Sequence, residues 1–171
     1  MYWRKALRAN SPGKVRRTEF PAYDLPPAFK PMASRRKSRE YAMQMLYQWE
    51  LGGNTPEQVA ASFFLERKAA SEVETFARGL FQGAVSNIAR LDPMIREHAE
   101  NWRLERMAAV DRSILRMAVY ELVHCPETPP HAVINEALEI ARRFSGEGSV
   151  EFVNGILDTI LKTLPTRETG I

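Results

Sequence analysis

The residues able to do covalent chemistry are few, and they do not gather. The three histidines, His98, His124 and His131, show no metal-ligand spacing, and no H-E-x-x-H occurs. Cys125 is the only cysteine. His124 precedes it, but adjacent residues of a helix point in different directions, which argues against a catalytic dyad. Cys125 reads instead as a small apolar residue near a helix end. Gly146-Glu147-Gly148 is too short and wrongly followed for a phosphate cradle and reads as a turn between helices. Catalysis needs a nucleophile with its base, a carboxylate pair in a cleft, a metal cluster or a phosphate cradle. Nothing here asks for it, so the expectation is a protein that is not an enzyme.

Binding chemistry has better candidates. Ser34-Arg35-Arg36-Lys37-Ser38-Arg39-Glu40 is a local cluster of cations. At 100° per residue, Arg36, Arg39, Met43 and Tyr47 fall within about 80° of one another on a helix. Guanidinium groups hold phosphates bidentately and an aromatic ring stacks an unpaired base, so such a ridge suits single-stranded RNA. Four cations near a helix N-terminus oppose the macrodipole, at about 0.3–1 kcal/mol each. A locally unfavourable placement invites a functional reason. A solvated basic stretch continuing the chain before it is the alternative, and the pattern leaves both open. Phe152 lies about 100° from the apolar face of the last helix. It could stack a base, fill an interface or cover a neighbouring helix.

These residues need elements to hold them, and the sequence supplies helices. With 44% hydrophobic and 26% charged residues, the 171-residue chain suits a soluble globular protein with one domain or two small helical halves. No apolar run approaches the roughly 18 residues of a membrane span. The start lacks a signal-peptide pattern and a lone cysteine fits a reducing compartment, so a cytoplasmic location is expected. Residues 1–33 hold seven of the 24 basic residues against Glu19 and Asp24, leaving 17 basic against 19 acidic from residue 34 onward. The basic balance therefore belongs to residues 1–33, a Pro-rich stretch that reads as disordered or loosely docked. Met32, just before the first helical signal, allows an alternative translation start.

Apolar spacing marks helices from residue 35 onward. Ala42, Met45, Leu46 and Trp49 line a helix over 35–50, stopped at Gly52-Gly53. Thr55-Pro56-Glu57-Gln58 and Ser71-Glu72-Val73-Glu74 read as capping boxes. Val73, Phe76, Ala77, Leu80 and Ala84 line one face of the next helix. Asp92-Pro93 opens another that runs toward Leu104. Val110, Ile114, Leu115, Ala118 and Leu122 make the most apolar helix, central and stopped near Cys125-Pro126. Val133, Ile134, Ala137, Ile140, Ala141 and Phe144 follow after Pro129-Pro130. Ser149 is placed to cap the last helix, where Val153, Ile156, Leu157, Ile160 and Leu164 face inward. The expected fold class is all-α, with about seven helices.

The segments together resemble a known family. Arg35-Arg36-Lys37-Ser38-Arg39-Glu40 followed by Ala42, Gln44, Leu46-Tyr47 and Trp49 is similar to the opening helix of the NusB family. Val110-Asp111-Arg112 through Glu121-Leu122 resembles its central helix. Ala132-Val133-Ile134-Asn135-Glu136-Ala137 and Phe152-Val153-Asn154-Gly155-Ile156-Leu157-Asp158 match two C-terminal motifs. The resemblance spans about residues 33–164 and is weaker over about 55–105.

That resemblance implies two packed helical subdomains, about 34–84 and 85–165. It implies recognition of boxA RNA together with the ribosomal protein NusE, joined to other Nus factors on RNA polymerase, with suppression of termination on ribosomal RNA transcripts. No cofactor is implied. The RNA-contacting segment falls on Arg35, Arg36, Lys37 and Arg39, and the helix-one tyrosine on Tyr47. An acidic contact of the central helix falls on Asp111, where many members have Glu. A rim phenylalanine falls on Phe152. Phe144-Ser145 stands where Phe-Gly is familiar, Gly148 stands where an acidic residue is common, and residues 1–33 have no counterpart. Two other readings compete. One is a protein-binding adaptor or homodimer, since some members self-associate. The other is the RNA-binding module of an rRNA-modifying enzyme.

Overall fold

The computed structural model describes residues 32–99 and 102–165. The stretch expected to be disordered, residues 1–33, lies outside them up to residue 31. Seven helices follow one another: α1 (Met32–Gly52), α2 (Pro56–Leu65), α3 (Ser71–Ser86), α4 (Ile88–His98), α5 (Ala109–His124), α6 (Pro130–Phe144) and α7 (Ser149–Thr163). Among the described residues one 3-10 turn, Leu104–Arg106, lies between α4 and α5. No strand occurs among the described residues.

The central position of α5 follows from its sequence. Ile114, Leu115, Met117, Ala118, Val119 and Leu122 are all buried, more than one helical face can hold. A helix apolar nearly all round must be surrounded, and α5 packs against α1, α3, α4, α6 and α7. One continuous core runs from Ala42 of α1 to Ile160 of α7 and crosses residue 84. Gly83 sets the approach of α3 to α5. A Cβ there would lie 2.1 Å from Cζ of Tyr120, so only glycine fits without displacing that ring. Tyr41, Phe63 and Phe64 pack edge to face with centroids 5.2–5.9 Å apart, tying α2 to α1.

Local signals mostly did their expected work. Thr55 and Gln58 form the reciprocal capping box at α2, and α5 stops at Cys125. Three ends differ. Ser71 is the first residue of α3, not its cap. Ala70 takes the cap position with no side-chain bond, and Glu74 is drawn to Arg78 at 2.8 Å. Helix α4 starts four residues before Asp92, after Asn87, and ends at His98 short of Leu104. The Asp92 carboxylate cannot cap because Arg116 engages both its oxygens, at 2.8 and 2.9 Å. Pro93 therefore lies inside the helix and forgoes one backbone bond, while Leu91 and Ile95 on the same helix are buried. Ser149 likewise does not cap α7. Gly148 holds that place with φ +83°, and the Ser149 hydroxyl turns to Asp111.

Candidate nucleic-acid interface

The basic run on α1 does not form an uninterrupted ridge. Arg36 is exposed, with 45% of its side chain open, and its Nε and Nη2 each donate to Glu136 of α6 at 2.8 Å. That hydrogen bonding, and then the Glu136 charge, hold the Arg36 pKa above its ordinary value. Arg35 lies half-buried with its guanidinium 4.1 Å from the Phe76 ring centroid. Lys37 donates to Glu40 at 3.1 Å and sits 4.8 Å from the Tyr41 ring. Arg39 departs from the expected ridge: it is buried, and its Nε donates to Glu121 at 2.7 Å. Glu121 is 0% exposed on the central helix, so a buried carboxylate there needs a buried cation. Met43 is buried too, which leaves Arg36 and Tyr47 as the exposed members of that row.

These pairings also answer the macrodipole objection. Arg36, Lys37 and Arg39 each face a carboxylate, so the cations at the start of α1 are largely neutralised locally. Glu40, itself buried, takes a second cation, Arg143 of α6, at 2.6 Å. Arg36, Glu40, Glu139, Ile140, Arg142 and Arg143 line a shallow hollow of about 220 Å³. Arg142 and Arg143 stand in the last turn of α6, where the helix dipole favours positive charge.

Two residues beyond Arg143 the surface changes character. Ser145, after the end of α6, donates to Asp111 Oδ1 at 2.5 Å, and Ser149 donates to Oδ2 at 3.0 Å. Asp111 is thus buried at the start of α5 between two hydroxyls. Each of its oxygens retains a lone pair for a further donor. Asp111 and Phe152 line one cleft of about 240 Å³, together with Trp102, Met107, Ala108, Glu147, Gly148 and Ser149. Trp102 and Phe152 pack with ring centroids 5.5 Å apart and planes at 64°. The positive φ of Gly148 explains a glycine there, since a side chain at +83° would be strained.

The structure therefore brings Asp111 and Phe152 together, and the end of α6 leads from them through Arg143 and Glu40 to Lys37, with Arg36 lining the same hollow. Tyr47 lies two turns beyond Glu40 on the same side of α1 and is exposed; it is not among the residues lining the cleft. Sequence reasoning missed Trp102, Arg142, Arg143 and Ser145. The arginine pair had a visible signal, two cations closing a helix. Trp102 had none, because it sits outside any helix where periodicity is silent.

A clamp holds this edge of the molecule. Arg112 donates to Glu50 at 2.6 Å and, through Nη1, to the carbonyls of Leu104 and Met107 at 2.7 and 2.9 Å. Its neighbour Arg116 joins Asp92 and lies 3.3 Å from Glu50 Oε2, an oxygen with no aligned hydrogen bond. Burial pulls the Arg116 pKa down, but Asp92 and Glu50 outweigh it and the net shift is upward. No group of three His, Cys, Asp or Glu side chains among the described residues could hold a metal ion. None of the described helices is long and apolar enough to cross a membrane.

The NusB family model matches residues 36–162. The chain is 51% identical over 132 residues to the transcription antitermination protein NusB of Koribacter versatilis (strain Ellin345), covering 77% of this chain and 90% of that one. It is 44% identical over 130 residues to the protein of the same name from Bacillus cereus (strain B4264), covering 76% and 98%. Among solved structures, T. maritima NusB is 36% identical with a TM-score of 0.71, covering 75% of this chain and 91% of that one. A crystal structure of antitermination factors NusB and NusE in complex with dsRNA gives 0.72 at 28% identity, covering 78% and 99%.

Proposed function

The chain belongs to the NusB family, and from that premise we propose that it is a transcription antitermination factor that binds RNA together with a NusE ribosomal protein. The RNA is a boxA-type single strand, as the motif resemblance implies. Other Nus factors and RNA polymerase are engaged indirectly, in the cytoplasm, and the outcome is read-through of ribosomal RNA operons.

One observation carries the reading: cations and a base-sized cleft meet at the end of α6. Arg143 and Ser145 are two residues apart, one paired with Glu40 of the basic helix, the other with Asp111 of the cleft. Arg36 and Lys37, joined by Arg142 and Arg143, supply phosphate contacts, which position a strand without specifying it. Unpaired bases meet Tyr47, Asp111 and the aromatic group around Phe152. Asp111 accepts hydrogen bonds from base or ribose, because a carboxylate repels phosphate. Arg35 and Arg39 shape the helix around Phe76, which lies 4.1 and 5.5 Å from their guanidinium carbons.

The test is fluorescence anisotropy of labelled boxA RNA, with and without the NusE partner, against a scrambled strand. Binding that tightens with partner and prefers boxA by at least about tenfold, or ~1.4 kcal/mol, is expected. Weak binding indifferent to sequence and partner would overturn the reading in favour of a protein-binding adaptor. Phe152→Ala should cost more affinity for boxA than for the scrambled strand.

A further inference from the structure

We propose that Trp102 is the principal ring on which an unpaired RNA base stacks, with Phe152 backing it from the protein side. The inference rests on the RNA-binding reading above and goes beyond it in naming a residue, a subsite and a class of base.

Exposure separates the two aromatics. Trp102 is 56% exposed, whereas Phe152 is only partly exposed and packs on the core. An indole left this open forgoes burial that a tryptophan ordinarily finds. The pair is also a partition. Trp102 and Phe152 are the residues shared by the cleft of about 240 Å³ and a neighbouring hollow of about 420 Å³. A base laid against the indole would therefore have room on either side.

The chemistry of the smaller cleft selects its ligand. Its lining includes the carboxylates of Asp111 and Glu147 and the hydroxyl of Ser149, with no Lys or Arg among the described lining residues. Such a surface disfavours phosphate and accepts N–H. The occupant is thus a base, preferentially one bearing an exocyclic amino group, such as adenine or cytosine, over uracil. Phosphates would lie outside, toward Arg142 and Arg143.

The backbone beneath the platform is tied down before ligand arrives. The Trp102 backbone N–H donates to the Ala99 carbonyl at 3.0 Å. The turn that follows is fixed by Arg112 on the Leu104 and Met107 carbonyls. A backbone already held in place adds little ordering entropy on binding, and the ring itself rests against Phe152.

The experiment uses the full chain with Trp3→Phe and Trp49→Phe, so that Trp102 is the sole tryptophan. A boxA RNA is titrated with the NusE partner present. Trp102 emission should be quenched with the same midpoint as RNA anisotropy, and an abasic replacement at one RNA position should abolish the quenching. Trp102→Ala should weaken boxA binding about 5- to 150-fold, the range one stacked base supplies, while Trp102→Phe retains most affinity. Phe152→Leu should cost less than Trp102→Ala. Tight boxA binding with unchanged emission and an indifferent Trp102→Ala variant would overturn the proposal and leave the RNA-binding reading standing. So would a Trp102→Ala variant that loses the protein partner but keeps RNA, since the ring would then serve a protein contact. Failure of the parent protein to bind boxA even with partner would instead overturn the reading beneath it.

Discussion

Replacing Arg39 separates two roles that the sequence runs together. The family resemblance implies an RNA contact for it; in the structure its guanidinium sits against Glu121, whose side chain is 0% exposed. Arg39→Ala would leave that carboxylate buried and unpaired, which costs about 3–5 kcal/mol. For a helical domain of this size each kcal/mol moves the melting temperature by about 3–5 °C, so a fall of about 10–20 °C is expected. Removing both charges, with Arg39→Met and Glu121→Leu, should restore most of that stability, because apolar replacement of a buried pair is often neutral. Met at position 39 also keeps apolar contact with Phe76 within reach. The double variant then serves for RNA binding. If Arg39 touched a phosphate, its loss would lower the slope of log affinity against log salt by about 0.7 on a single strand. The expected result is a large melting shift for the single variant, recovery in the double, and an unchanged salt slope. A single variant that melts within about 2 °C of the parent, or a double variant with a reduced slope, would refute the assignment of Arg39 to the core.

Four other outcomes are expected. Gly83→Ala forces a Cβ into the Tyr120 ring and should destabilise by about 1–3 kcal/mol in urea unfolding, with the slope unchanged. Glu136→Gln releases the exposed Arg36 from its bidentate partner, and should raise affinity for scrambled RNA more than for boxA in the same anisotropy assay. Gly148→Asp places a side chain at φ +83° and should lower stability by about 1–3 kcal/mol on thermal unfolding. Glu105 should titrate below the ordinary range for a glutamate by NMR, because its own backbone N–H and then Arg96 stabilise the carboxylate. A lowered folded pKa contributes stability above the unfolded value and loses it as pH falls through the folded one. Arg96→Ala should leave part of the lowering in place, since the backbone contribution is the larger.

The helices were legible because their signals are local. Thr55 and Gln58 capped as their spacing demands, and the apolar run of α5 announced a surrounded helix. Two of the three ends that differed are those where a distant residue took the capping group: Arg116 holds Asp92, and Asp111 engages Ser149. No periodicity reports a partner 24 or 38 residues away. The same limit applied to the site. Residue type and spacing pointed to Arg36 and Phe152, and the family resemblance to Asp111, but neither could separate an exposed Arg36 from a buried Arg39 three positions later. That distinction depends on Glu121, a residue the central-helix pattern counts only as polar. Trp102 lay beyond reach for the opposite reason, since it belongs to no repeat and its exposure is a tertiary fact.

Charge explains why the cleft should matter more than the cations. From residue 34 onward 17 basic residues face 19 acidic ones. The surface arginines nearest the cleft are already paired, Arg36 with Glu136, Arg142 with Glu139 and Arg143 with Glu40. A phosphate approaching Arg36 or Arg143 meets a guanidinium whose charge a carboxylate already shares, so each new contact yields less than a free arginine would. If RNA binds along this face, counterion release from these paired arginines should be smaller than from free ones. Such a protein discriminates only if the uncharged part of the ligand supplies the difference. The groups placed to do so are the acceptors of Asp111, and the rings of Trp102 and Phe152 beside them. On the proposed reading a neutralised basic helix is then no defect of the interface: it suppresses binding to the wrong strand and leaves the decision to the base.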